Sequence, residues 1–140
     1  MKKFALLLFV FSLLTSCQVE GELTHDPVDI VVDNNVDVLR YSGDFSPTSG
    51  IVVEGSVNIY TNVANGNFLK LENFNISDGP DLKVYLSKTD TPSDFVNLGA
   101  LTSATTYAIP SQVNIADYPF VLIHCQQYNH LFAIATLTQN

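Results

Sequence analysis

The chain predicts an all-β fold, a single antiparallel β-sandwich or barrel-like domain, and three observations predict it. Short apolar runs alternate with polar residues at a period of two, as in 51–60 (IVVEGSVNIY), the mark of half-buried strands. Clusters of Asn, Asp, Gly, Ser and Pro separate these runs at roughly eight- to twelve-residue intervals, the spacing of short strands in sandwiches and barrels. Beyond the N-terminal segment, no window sustains the 3.6-residue apolar stripe that an amphipathic helix needs.

The N-terminal segment is set aside before any fold reasoning. Lys2 and Lys3 precede an apolar run, 4–14, and small residues follow at once. A run this short does not span a bilayer of about 30 Å, which takes roughly 20 helical residues. Residues 1–16 therefore read as a secretory signal peptide. Leu14-Thr15-Ser16-Cys17 resembles the bacterial lipobox, in which the cysteine is acylated and becomes the new N-terminus. Cys17 is thus the expected lipidation site. Gln18 after it lacks the Asp that argues for inner-membrane retention, so the expected location is the outer membrane of a bacterial cell envelope, facing periplasm or surface.

Loss of residues 1–16 leaves 124 residues with four basic side chains against fourteen acidic ones, a net charge of −10 with histidines neutral. Such a surface repels phosphate backbones and makes nucleic acid an unfavourable partner. It also offers no polybasic patch to anionic headgroups, so membrane attachment rests on the lipid. With Cys17 acylated, Cys125 has no partner within the chain, and the exported domain has no disulfide. About a hundred residues must then cohere through core burial alone, which is feasible at this size.

Residues 17–37 hold the lipidated cysteine and an acidic tether; 18–37 carries six acids and no Lys or Arg. Too little apolar area is available in its first half to offset ordering. The domain is expected over 38–140. Within it 43–47 (GDFSP) reads as a turn cluster. In 51–60, Val53, Gly55, Val57 and Ile59 share one face. Asn65-Gly66 signals a tight hairpin, because both residue types tolerate positive φ. The return strand, 68–74, places Leu69 and Leu71 on one side and Phe68 and Phe74 on the other. A dense turn at 77–81 leads into 82–88, with Leu82, Val84 and Leu86 inward and Lys83, Tyr85 and Ser87 outward. After a break at 89–93 come short strands at 95–101 and 105–109, the latter closed by Pro110. The hairpin 118–137 (YPFVLIHCQQYNHLFAIATL) completes the set and carries Cys125.

The spacing of these motifs resembles the DM-13 domain family of small extracytoplasmic β-sandwich modules. The likeness runs through Gly43-x-Phe45, Val53-x-Gly55-x-Val57-x-Ile59 and Leu69-x-Leu71-x-Asn73-Phe74. It continues through Gly79-Pro80-Asp81-Leu82-x-Val84-Tyr85-Leu86, Leu98-Gly99-x-Leu101 and Tyr107-x-Ile109-Pro110. It ends with Tyr118, Val121-x-Ile123-x-Cys125 and Phe132-x-x-Ala135-x-Leu137. The resemblance implies a β-sandwich and a redox or electron-transfer role centred on the one characteristic cysteine, Cys125, with a redox or envelope protein as partner. The chain departs from the family pattern at His124, where an aromatic residue is usual. It departs again at 103–106, which lacks a glycine, and at Ala133, where glycine is common.

Cys125 itself admits two readings. It shares a strand face with Val121 and Ile123, the setting of a small buried hydrophobe; as a redox thiol it would need exposure and a nearby cation. His124 should point to the opposite face, since side chains alternate along a strand. His130, across the turn 126–129, can return to either face and is the other candidate support. A metal site of Cys125, His130 and one more ligand is conceivable, but single ligands without paired spacing are a weak signal, so no cofactor is predicted and bound metal or haem is left open. Asp78 and Asp81 flank Gly79-Pro80, and this turn motif is read as backbone-fixing chemistry ahead of cation binding. No nucleophile elbow, zinc-protease helix, phosphate loop or dinucleotide fingerprint occurs, so enzymatic catalysis is not expected. The alternative to the redox reading is a binding or adhesion module with Cys125 as core packing.

Overall fold

A computed structural model of the chain describes residues 36–140. The expected signal peptide, Cys17 and most of the acidic tether lie outside the described residues. Among the described residues nine strands form: β1 Val38–Pro47, β2 Val53–Asn62, β3 Gly66–Ile76, β4 Leu82–Ser87, β5 Phe95–Ala100, β6 Thr106–Ala108, β7 Phe120–Cys125, β8 His130–Thr136 and β9 Thr138–Gln139. The described residues hold no α-helix, only a 3-10 turn at Ile115–Asp117. The all-β expectation is met.

All pairings are antiparallel, in the order β5-β4-β7-β8-β1-β2-β3-β6, with β9 also on β1. β1 is the strand that joins the two halves. Its first part, Val38 to Asp44, pairs with β2, and its last part, Phe45 to Pro47, pairs with β8. At the far ends, the Tyr107 hydroxyl of β6 donates to the carbonyls of Ala100 at the end of β5 (3.4 Å) and Ala104 (3.0 Å). The sheet thus curls until its two edge strands nearly meet, a barrel-like closure that covers otherwise unpaired edges.

One apolar layer fills the interior. Val57 and Ile59 from β2, Leu69 and Leu71 from β3, Val84 and Leu86 from β4, and Val121, Ile123 and Cys125 from β7 pack together. Ala133 and Ala135 of β8 and Phe45 of β1 complete it. These are the inward positions that the alternation predicts for β2, β4 and β7. The Asn65-Gly66 hairpin also forms: Gly66 takes φ +73°, and Asn62 accepts the Ala64 and Asn65 amides at 2.8 and 3.2 Å.

Two local expectations are corrected. Residues 43–47 are not a turn; they lie inside β1. Gly43 makes this possible, because a Cβ there would strike the Thr136 carbonyl as β1 passes from one half of the sheet to the other. The second correction concerns Phe74, which does not share a side with Phe68. Asn73 adopts φ +49° and β3 carries an extra residue opposite Gly55, a bulge that reverses the alternation beyond it. Phe74 therefore turns onto the core and meets Phe45 edge-on, with centroids 5.1 Å apart, while Phe68 stacks outside on Tyr60.

Candidate functional site

The turn motif and the cysteine, far apart in the chain, meet at one end of the β4–β7–β8 sheet. Leu82 stands opposite Cys125 on one side, and His130 stands opposite it on the other. The Asp81 carbonyl accepts the Gln126 amide at 2.9 Å, which fastens the turn to the β7–β8 hairpin. Gly79 sits so close to the start of β4 and to the hairpin that a Cβ would lie 2.7 Å from Leu82 Cδ2 and 3.1 Å from Phe132 Cε2. A methyl group here would have to displace the Leu82 side chain. The Asp81 carboxylate pairs with Lys83 Nζ at 2.7 Å, and Asp78 stays exposed. The motif Asp78, Gly79, Pro80, Asp81 is thus a clasp between a turn and a hairpin.

Cys125 is fully buried, at 0% exposure, inside the apolar layer. A thiolate is the reactive form, and such chemistry needs solvent access and cationic company. In this setting the sulfur behaves as a small packing group.

His124 points away from Cys125, as strand alternation requires. Its ring lies against Tyr85 with centroids 5.5 Å apart and is 5% exposed. Neither Nδ1 nor Nε2 has a partner at hydrogen-bonding geometry. Burial holds its pKa below the usual histidine value; the Asn129 side chain opposes this and the His130 charge reinforces it. The imidazole is therefore neutral at neutral pH. His130 is exposed at the start of β8, its ring edge-on to Phe132 at 5.4 Å. Cys125, His124 and His130 do not converge as a ligand set: among the described residues no three His, Cys, Asp or Glu side chains cluster closely enough to hold a metal ion.

The alternation pattern shows Tyr85 as outward but not what outward means there. Tyr85 is buried on that face, stacked on Phe95 at 4.0 Å and nearly parallel, with His124 on its other side. Burial raises its phenol pKa. The Phe95–Tyr85 contact follows from β4 and β5 forming a hairpin across 88–94. The sequence signal for it was the apolar character of both strands on either side of one turn cluster.

The decisive match is over residues 44–137, which fit the family model described as electron transfer DM13. The chain belongs to the DM13 family. This span takes in every strand from the middle of β1 through β8, with both the Gly79-Pro80-Asp81 clasp and Cys125. Comparison with curated proteins and with solved structures gave no match. The DM13 domain is thus an electron-transfer-related module, and Cys125 lies in its core.

Proposed function

We propose that this DM13 domain is a non-enzymatic docking module of an electron-transfer assembly at the bacterial cell envelope, held at the outer membrane by lipid on Cys17, with Cys125 serving as core packing. The observation that carries this reading is the position of the sulfur. Thiol–disulfide exchange requires attack by, or on, a reachable sulfur, and Cys125 is enclosed by core side chains on the inner face of β7. What the domain contributes to electron transfer then comes through its surface and its tether.

The family description favours a second reading, in which Cys125 is the redox centre after local opening of the β7–β8 hairpin. One experiment separates the two. The chain with Cys17 replaced by Ser, so that Cys125 is its one thiol, is labelled with a maleimide at neutral pH, folded and in denaturant. The docking reading expects protection in the folded state and full labelling in denaturant. Labelling of the folded protein without denaturant, faster than global unfolding permits, selects the redox reading. Anchoring is tested separately by mass spectrometry of the protein from its membrane fraction. Acyl mass on Cys17, and release of Cys17→Ala into the soluble fraction, are the expected results.

A further inference from the structure

We propose that a polar cleft around Arg40 binds a carboxylate-bearing monosaccharide, a sugar acid. The first observation is the state of the cations. Lys70, Lys83 and Lys88 lie 3.3, 2.7 and 3.1 Å from the carboxylates of Glu72, Asp81 and Asp94. Among the described residues Arg40 is the remaining Lys or Arg, and it pairs with no described carboxylate.

The second observation is how the fold presents it. Leu39 stands opposite Tyr60 and Tyr41 opposite Ile59, so Arg40 is the extra residue of a bulge in β1. Bulges take a side chain out of strict alternation and re-aim it. Here the backbone is also held from the far side, because the Arg40 carbonyl accepts the Asn140 amide at 2.9 Å and β9 pairs Gln139 with Tyr41.

The third observation is the cleft. Arg40, Tyr41, Thr61, Asn67, Asn114 and Gln139 line a depression of about 290 Å³, brought together from β1, β2, β3, the segment before the 3-10 turn, and β9. This is the lower end of the size range of small-molecule sites, roughly 300–1,000 Å³. The Thr61 hydroxyl donates to Asn67 Oδ1 at 2.7 Å, which leaves the Asn67 amide NH2 available. Asn114 precedes the 3-10 turn, yet its side chain makes no capping bond and is likewise uncommitted.

The ligand class follows from these groups. A guanidinium fork matches the two oxygens of a carboxylate. Two side-chain amides, a threonine hydroxyl and Gln139 suit a ring of hydroxyl groups, and Tyr41 supplies an aromatic wall. One cation on a strongly acidic chain fits one negative charge; a phosphate dianion or a polyanion would meet net repulsion without a second cation to offset it.

The test is titration of the isotope-labelled full chain with glucuronate, glucose and acetate, followed by amide NMR. Glucuronate is expected to bind in the millimolar range and to shift amides at positions 40, 61, 67, 114 and 139. Glucose lacks the charge and acetate lacks the ring, so each should bind about tenfold more weakly or worse. Arg40→Gln, an exposed position whose loss leaves the amide dispersion intact, should weaken glucuronate by about tenfold or more. Asn114→Ala should weaken it without any change of charge, and Lys70→Gln should leave it unchanged. Equal affinity of wild type and Arg40→Gln, acetate binding as tightly as glucuronate, or the absence of shifts around the cleft would each overturn the proposal.

Discussion

The two halves of the curled sheet use one alternating pattern to different ends. In the β1–β2–β3 half, inward residues such as Val57, Ile59, Leu69 and Leu71 are buried, while their outward neighbours Asn58, Tyr60, Lys70 and Glu72 remain partly or fully exposed. In the β4–β7 half both faces are out of water. Val84, Leu86, Val121 and Ile123 pack inward, and Tyr85, Ser87, Leu122 and His124 are buried on the opposite side. Ser87 manages this because its hydroxyl reaches the Thr91 and Asp94 carbonyls, each at 3.3 Å. β4 and β7, the latter carrying Cys125, are thus the most enclosed strands of the described residues. Chemistry placed on β7 faces a packed environment on both sides.

Substitution on the two faces of β7 is the strongest way to break that comparison. Ile123→Ala, on the core face, should cost about 2–5 kcal/mol in urea unfolding. Leu122→Ala, on the outward face, should fall in the same range, since Leu122 is also at 0% exposure. An outward-face cost within about 0.5 kcal/mol, the usual scale for surface changes, would show that only one face of β7 is stabilising.

Next in size is the bulge that distinguishes β3. Gly55 holds φ +105°, and a Cβ there would lie 2.7 Å from the carbonyl oxygens of Glu72 and Asn73. Gly55→Ala should destabilise by about 1–3 kcal/mol, the scale of a residue forced into a sparsely populated backbone region. Gly50→Ala is the control for left-handed backbone without a close neighbour, because nothing lies within 4 Å of a Cβ at that position. The smaller loss should occur at Gly50.

His124 sharpens the comparison through pH. Its folded pKa lies below the unfolded value, so above about pH 6.5 both states are neutral and the group adds no pH dependence. As pH falls below that value the unfolded chain takes up a proton that the folded one resists, and stability declines. His124→Phe keeps the contact with Tyr85 and removes the titration. The fall in thermal midpoint between neutral and mildly acidic pH should shrink in this variant; an unchanged fall would place the acid sensitivity elsewhere. The smallest effect belongs to the exposed half of the sheet. Lys70→Ala removes a solvent-screened pair with Glu72 and should change stability by no more than about 0.5 kcal/mol.

Much of this arrangement is legible in the residues themselves. The period-two pattern places Val57, Ile59, Val84, Leu86, Val121, Ile123 and Cys125 on one layer before any pairing is known, because a strand's geometry leaves no other choice. It also separates His124 from Cys125. Where the pattern misplaces a residue, the cause is a backbone irregularity. Phe74 is turned inward by the bulge at Asn73, and 43–47 continues a strand because Gly43 lets two backbones cross.

Side-chain chemistry and a two-residue repeat are enough for the local features: strand positions, their inward sides, the Asn65-Gly66 hairpin and the acidic balance. Tertiary structure alone decided that the Gly79 turn clasps the hairpin beside Cys125, that the outward side of β7 is covered, and that Arg40 shares a cleft with Asn67, Asn114 and Gln139. These depend on pairings between segments 40 to 100 residues apart, and on bulges whose position no alternation pattern records, because a one-residue slip in register re-aims every side chain beyond it.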